Sequence, residues 1–427
     1  MEHQFDVIVA GGGPAGIGAA AAAAMCGAKT LLLEARSFFG GIAGTSLFMP
    51  MNRLKLRGGS RGGVHDALIR EIEKFGALAS LPGKVTWTDG DGLHVHPDYL
   101  KKAIFDLLDS VGCTYLLYSP VTGAVVSEGR VRQVEVQTKQ GKRTYDAEVF
   151  IDCTGDGDLS VLCGADYEIG RETDGALMPV TLGFTLANVN TERLFAWYHS
   201  DASGADMKRV IEEAEKEGYA VSPWYSFDRT TIPKVASVNN GGLKGIGRLD
   251  LTDPEDATKA EHENIRVALD FIEIARKYRI PGLEEAYLDR TGAAVGARET
   301  RRILCDYVLS EEDAYNGTVF PDTIARRYGA VDQAGLTDQM GYSRMKSGYG
   351  FPYRALLVRH IEGLMAAGKC GSYTHLGLAA GKSMGNMMAI GQAAGVAGAL
   401  SVHEGVTPRA LPVEKVQEKL KDWGVQL

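Results

Sequence analysis

Gly11, Gly13 and Gly16 stand at the spacing of a phosphate cradle, and Glu34 stands eighteen residues beyond the last of them. In such a pattern Gly11 permits a tight turn, Gly13 lets a pyrophosphate approach the backbone, and Gly16 lets a helix lie close on a sheet. Pro14 and Ala15 fall at the start of that helix, whose free N–H groups and positive dipole end favour an anion. A carboxylate at Glu34 is placed to accept both hydroxyls of a ribose. The pattern predicts an adenine dinucleotide rather than a glycine-rich turn with a capping acid. Glu34 would repel a 2′-phosphate, which disfavours NADP and leaves NAD and FAD open.

Later segments carry further candidates. Thr154-Gly155-Asp156-Gly157-Asp158 closes a strand and suits a second backbone approach to the same dinucleotide. It lacks the further ligands and the bidentate Glu of a calcium loop, so no metal site is expected. Gly368 ends the apolar run after Gly363. Lys382, Gly385, Asn386 and Met387 lead into a helix with Gly391, Gly395 and Gly398. A helix start aimed at a flavin ring would favour negative charge there, and close helix packing is the plainer reading of the same glycines.

His375, in Gly371-Ser-Tyr-Thr-His375-Leu-Gly377, lies between two of these segments. A histidine there is the candidate to take a proton from a hydroxyl or C–H while hydride passes to flavin N5. Arg298, Arg301 and Arg302 read as one strand, with Arg298 and Arg302 on one face and Arg301 on the other. Their forks suit a carboxylate or phosphate, or salt bridges to Glu299 and other acids. Tyr349, Tyr353 and Arg354 are candidates for the substrate side. His65 is a less favoured candidate for a covalent flavin tether.

The elements that must position these groups are legible in outline. Phe5–Ala10 is a short apolar strand, an Ala-rich helix follows to Met25, and Lys29–Glu34 is a second strand, which completes a β-α-β unit. Val64, Leu68, Ile69 and Ile72 share one helical face, and Pro97 opens another helix. Thr114–Tyr118, Val121–Ser127, Val131–Thr138 and Lys142–Ile151 read as strands with turns at Gly129 and Gly141. From about Ala165 to Gly348 the composition shifts, with helical stretches at Asp206–Glu217 and Glu255–Tyr278. The small-residue texture of the N-terminus then returns, and Met384–Leu400 reads as a buried helix.

Composition sets the outer bounds. Of 427 residues 53 are Gly, well above the usual share of about 7%, and 45% are hydrophobic, so a large core can form. A net charge of −8 argues against a nucleic-acid binder. Six scattered Cys without a CxxC pair argue against zinc, iron–sulfur and disulfide-relay chemistry. Glu2 and Asp6 stand where a signal peptide would be basic. A cytoplasmic protein with no membrane partner is expected.

Gly11–Gly16, Glu34, Gly40-Gly41, Ile151–Ser160, Gly292–Ile303, Phe351–Cys370 and Gly391–Gly395 together resemble the glutathione-reductase-type FAD proteins. The resemblance points to the branch related to thiazole-synthesis proteins, succinate-dehydrogenase flavoproteins and heterodisulfide-reductase A subunits. It spans most of the chain in order and is loose between Arg171 and Pro281. It implies non-covalent FAD, with Ala35 and Arg36 flanking the ribose-binding Glu34. Gly40, Gly41, Gly44 and Thr45 would lie along the pyrophosphate, ribityl chain and ring, with Gly368 against the pyrophosphate or ribityl chain. Val121 would meet the adenine through its backbone. Lys382, Gly385 and Asn386 depart from the Arg, Pro and Thr of many relatives.

The expectation is an α/β protein: a Rossmann-like FAD-binding domain with a β-meander, formed by residues 1–164 and 349–427. It is interrupted by an inserted α+β substrate domain at 165–348. The expected function is hydride transfer between a small polar organic substrate and flavin N5, with Thr154 and Gly155 among the cofactor contacts and His375 and Arg298 catalytic. An external electron acceptor or donor would complete the cycle. The rivals are a fumarate-reductase-like reductase of an anionic substrate, an NAD-dependent dehydrogenase, and a flavin-binding subunit without turnover. Homo-oligomerisation would follow from family habit alone.

Overall fold

In the computed structural model the described residues are 3–48, 50–56, 59–81, 92–332, 342–344 and 348–427. A seven-stranded sheet organises both ends of the chain. Its parallel part runs in the order Thr114–Leu116, Thr30–Leu33, Gln4–Ala10, Gly141–Asp152, Leu364–Ala366. Thr30–Leu33, Leu364–Ala366 and the last four residues of Gln4–Ala10 and of Gly141–Asp152 are buried, largely apolar runs, as strands covered on both faces require. The strand Gly141–Asp152 pairs in two senses within this one sheet. Its second half runs parallel to Gln4–Ala10, and its first half closes an antiparallel meander with Arg130–Thr138 and Val121–Ser127.

The helix Pro14–Met25 is Ala-rich and buried on nearly every side because it is a middle layer. On one side lies the sheet, and on the other the helix Met384–Glu404. Small residues let the two backbones touch: a Cβ on Gly391 would fall 1.9 Å from the Ala15 carbonyl oxygen, and one on Gly395 would fall 2.1 Å from that of Ala19. The glycines of the helix Met384–Glu404 are thus explained first by packing. The helices Gly63–Glu73 and Pro97–Ser110 cover the same layer with the apolar faces read from the sequence.

Residues 184–288 enclose their own apolar core, with Phe184, Leu186, Phe227, Val238 and Phe271 at its centre. Its antiparallel sheet has the order Tyr225–Arg229, Ala236–Asn240, Phe184–Ala187, Tyr287–Thr291. The long helix Pro254–Lys277 packs on it; Asp253 caps its first turn, and Arg276 and Lys277 place positive charge in its last. Ile303, Leu309, Ile324 and Ala325 instead pack into cores shared with the two chain ends.

One sequence expectation fails here. Arg298, Arg301 and Arg302 do not share a strand: Gly296–Ala297 pairs with Val180–Thr181, and Arg301–Ile303 pairs with Tyr167–Ile169. Arg298, Glu299 and Thr300 lie between the two strands, so alternation does not set their directions. The chain leaves the strand there because Glu299 turns inward, where it accepts a hydrogen bond from the Met178 N–H at 3.2 Å.

Candidate active site

Three glycine turns meet at the start of the first helix. Gly11 has φ +95°, and a Cβ there would lie 2.4 Å from the Cys153 carbonyl oxygen. Gly16 is confined as tightly, its Cβ position 1.7 Å from the Gly11 oxygen. Gly41 has φ +51° and faces Gly13 Cα at 3.1 Å, while the Gly40 N–H donates to the Gly12 oxygen at 2.8 Å. Gly368 has φ +99° and abuts the Ala15 side chain. Gly13 alone faces open space, with no atom within 4 Å of a Cβ built on it. Pro14 begins the helix, and no side chain caps it, so its first-turn amides are left for a ligand.

Glu34 is buried at the end of its strand. One carboxylate oxygen accepts from the Gly12 N–H at 2.7 Å and the other from the Arg36 N–H at 2.8 Å. Each oxygen keeps a lone pair for a ribose hydroxyl. Ala35 and Arg36 are exposed beside it, and the Tyr118 N–H donates to the Arg36 oxygen. The Ser119 N–H donates to the Glu34 oxygen, which brings the start of the Val121 strand to the same edge. These features fit an adenine dinucleotide with its pyrophosphate at the helix start.

Thr154 and Gly155 lie under the Gly11 turn, fixed by Asp152. That buried carboxylate accepts from the Thr154 N–H, the Thr154 hydroxyl and the Ser160 N–H at 2.7–3.0 Å. Asp156 and Asp158 bind protein groups: Lys369 Nζ lies 2.8 Å from Asp156, and Arg301 donates to the Asp156 carbonyl and to Asp158. Among the described residues no cluster suited to a metal ion occurs.

Gly44 and Thr45 form a buried turn between the cradle and the second unit. Ala293 donates to the Thr45 carbonyl, and a Cβ on Gly296 would strike Ile42. A separate turn enters the helix Met384–Glu404. Gly385 faces the Arg53 carbonyl, with its Cβ position at 2.0 Å, so its glycine identity answers to packing. Asn386 is fully engaged: its oxygen accepts from Arg61 at 2.9 Å, and its nitrogen donates to the carbonyls of Tyr328 and Gly381. Met387 is buried in the core. His65 directs Nε2 to the Gly385 oxygen at 2.9 Å, behind this turn.

His375 opens a short helix whose cap is Thr374, and its ring is buried. Nδ1 lies 2.9 and 2.8 Å from the two oxygens of Glu299, whereas Nε2 has no partner among the described residues. Glu299 is in turn paired with the buried Arg302, whose remaining donors reach the carbonyls of Tyr373 and Gly170 and the acids Glu168 and Glu172. A bonded Nδ1–H leaves the neutral ring with a lone pair at Nε2.

Arg298 is half-buried, donates to the Asn240 carbonyl at 3.2 Å, and sits 5.7 Å from the Trp224 ring centroid. Lys382 Nζ bonds the carboxylate and the carbonyl of Asp332 at 2.9 and 2.8 Å. Burial pushes the Lys382 ammonium pKa down; Asp332 opposes this, Arg298 adds to it, and Glu299 acts in the same sense as Asp332. Arg301 is drawn away to Asp158, and Tyr349 donates to the Ala380 carbonyl. Sequence reasoning missed Asp332 and Trp224, and saw Glu299 only as a salt-bridge partner; no local spacing marks any of them.

No curated protein matches the chain in sequence. Among solved structures, p-nitrophenol 4-monooxygenase PnpA from Pseudomonas putida DLL-E4 has a TM-score of 0.52 at 12% identity, covering 98% of this chain and 84% of that one. The flavin-dependent brominase Bmp2 has a TM-score of 0.51 at 13% identity, covering 98% and 83%. OxyS anhydrotetracycline hydroxylase from Streptomyces rimosus reaches 0.50 at 14%, covering 98% of this chain and 65% of that one. These likenesses show a shared fold. Residues 6–420 match the FAD dependent oxidoreductase family, and the chain, with its dinucleotide cradle and second unit, belongs to that family and takes FAD as its cofactor.

Proposed function

We propose that this protein moves a hydride between a carbon of a small polar organic substrate and flavin N5, with His375 exchanging the accompanying proton. What supports this most directly is the buried His375 ring, held at Nδ1 by Glu299 and left without a partner at Nε2 among the described residues. Bound FAD supplies the hydride acceptor or donor. Glu299 fixes the ring's orientation and stabilises it once protonated, and Arg302 keeps the Glu299 charge compensated in a dry setting. Arg298 orients the substrate from the side of Asn240 and Trp224.

In this reading residues 1–164 with 349–427 hold the cofactor, and 165–348 supply the opposite wall. Gly11, Gly13 to Gly16, Glu34, Gly40, Gly41, Gly44, Thr45, Thr154, Gly155 and Gly368 line the dinucleotide. Val121 meets the adenine, and Lys382, Gly385, Asn386 and Met387 shape the ring end. An external acceptor or donor restores the starting state.

The test is anaerobic mixing of the FAD-loaded protein with small alcohols, amines and hydroxy acids while the yellow absorbance is followed. Bleaching by one of them that slows strongly in His375→Ala is the expected outcome. An unchanged bleaching rate in that variant removes His375 from the chemistry. If no compound bleaches the protein but an unsaturated acid reoxidises it after chemical reduction, the reductase reading takes its place.

A further inference from the structure

We infer that Glu172 is a positioning residue for His375: from a turn in the middle of the chain it holds the His375 backbone directly and the His375 ring through Arg302 and Glu299. It thereby controls the same site, and the inference rests on the redox reading above.

Four residues close a circuit. The His375 N–H donates to a Glu172 carboxylate oxygen at 2.9 Å, and the same oxygen lies 3.4 Å from Arg302 Nη2. Arg302 bonds Glu299, and Glu299 meets the ring at Nδ1. One carboxylate thus reaches the same histidine from both sides. The two links differ in strength. The N–H contact has the length of a good hydrogen bond, whereas the Arg302 contact is long and shared with Glu168, also at 3.4 Å. The direct link therefore dominates.

Local structure explains why the link is needed. His375–Ala379 is a little over one turn of helix, too short to hold itself. Its first amides need acceptors. Thr374 Oγ1 takes the Gly377 N–H at 3.0 Å, and Glu172 takes that of His375. At the other end Arg327, fully buried, donates to the carbonyls of Gly377 and Leu378 at 3.2 and 3.4 Å. A negative group at the start and a positive one at the end both suit the aligned peptide dipoles.

Glu172 itself stands on a tight turn. The Gly175 N–H donates to the Arg171 carbonyl at 2.7 Å and the Arg171 N–H to that of Ala176 at 2.8 Å. Arg302 holds the base of the turn by the Gly170 carbonyl at 2.9 Å. Arg171 and Asp174 pair with each other on its exposed rim, while Glu172 reaches inward. Partial burial works against the Glu172 charge, yet the His375 N–H, its own amide and Arg302 hold its carboxyl below the usual range. The charged groups facing His375 are Glu299, Glu172 and Arg302, with Asp174 on the rim, Glu311 behind Thr374 and Arg327 at the helix end. Removing the Glu172 charge takes away one group that favours a protonated ring.

The experiment compares FAD-loaded wild type with Glu172→Ala, Glu172→Gln and Glu168→Gln. The first readout is solvent exchange of the His375 Nδ1 proton, followed by NMR on isotope-labelled histidine and assigned with His375→Ala. Glu172→Ala loses both links and should speed that exchange by about tenfold or more. Glu172→Gln keeps an oxygen for the N–H and should stay within about threefold of wild type. Glu168→Gln takes charge from Arg302 without reaching His375 and should do the same. The second readout is flavin bleaching by the compound found above, across pH. Glu172→Ala should lower the limiting rate about tenfold at unchanged half-saturating concentration. Glu172→Gln should restore the rate to within about threefold, with the pH limb that reports the His375 proton moved down by about half to one unit. A wild-type Nδ1 proton that exchanges freely would overturn the assignment. So would wild-type behaviour of Glu172→Ala, no rescue by Glu172→Gln, or a Glu168→Gln variant as impaired as Glu172→Ala. The two readings fail separately. Bleaching that depends on His375 while neither readout responds to Glu172→Ala sinks only this assignment. Exchange that responds as expected while bleaching ignores His375→Ala sinks only the redox role.

Discussion

Glu299 and His375 are 76 residues apart in the chain, yet both carboxylate oxygens lie within 2.9 Å of the imidazole Nδ1, and both side chains are fully buried. Removing the ring and removing the charge behind it should have separable effects. His375→Ala should slow substrate-dependent flavin reduction by about 10²–10⁴-fold, the range for a positioned acid or base. Glu299→Gln keeps the shape but lets the other tautomer form, so it should slow reduction with little change in substrate affinity and shift the pH profile of the rate. It should also destabilise the fold by about 3–5 kcal/mol, because Arg302 loses its closest carboxylate. Anaerobic stopped-flow across pH, with a melting curve, checks both. Wild-type rates in Glu299→Gln would reduce the pair to a structural contact.

Glu34 makes a second prediction. Its carboxylate already serves the Gly12 and Arg36 amides, so its charge is oriented before any ribose arrives. Glu34→Gln should weaken FAD binding by about ten- to a hundredfold, the equivalent of one or two charge-assisted hydrogen bonds. Quenching of FAD fluorescence on titration with apoprotein reads the constant. An unchanged constant would remove the ribose contact.

What the sequence made legible was local. The Gly11–Gly16 spacing, Glu34 and the apolar strand runs are written within some thirty residues, and each takes the conformation its residue types favour. The helix Pro254–Lys277 was equally plain, because its cap and its period lie within it. The Arg298–Arg302 stretch misled because alternation assumes a continuous strand, and burial of Glu299 against Arg302 and His375 outweighs one more pair of ladder bonds. Gly385 reads from the sequence as a ring-facing turn, close packing or both, and its nearest constraint in the fold is the Arg53 backbone, more than three hundred residues away. Contacts of that range leave no spacing to read.

The helix contact yields a third prediction with an internal control. Gly391→Ala places a methyl where the Ala15 carbonyl oxygen stands, at a contact of two backbones that cannot rotate aside. The helices must separate, at a cost of about 1–3 kcal/mol or more, and the cradle built on Ala15 should lose FAD affinity as well. Gly204 lies in the exposed helix Ser203–Lys216 with nothing near its Cβ position. Gly204→Ala should therefore stabilise the protein by about 0.4–1 kcal/mol. Thermal unfolding of the two variants should move in opposite directions, and equal shifts would contradict the contact.

The fourth prediction concerns acid stability and rests on His65. The ring is fully buried, Nε2 bonds the Gly385 carbonyl and Nδ1 has no partner among the described residues. Burial, and then the neighbouring Arg61 charge, push its pKa down from 6.5 to about 3. Between those values the unfolded chain holds a proton that the folded one refuses, so stability is intact above pH 6.5 and falls as pH drops toward 3. The slope from this one group approaches about 1.4 kcal/mol per pH unit. His65→Gln can still donate to Gly385 and does not titrate, so it should lose this slope. Urea unfolding at pH 7.5, 6 and 4.5 should show the variant losing ground to wild type at neutral pH, if anywhere, and gaining about 2–3 kcal/mol relative to it at the lowest. Parallel curves would mean that the ring is charged in the folded protein, which its setting behind the Gly385 turn does not allow.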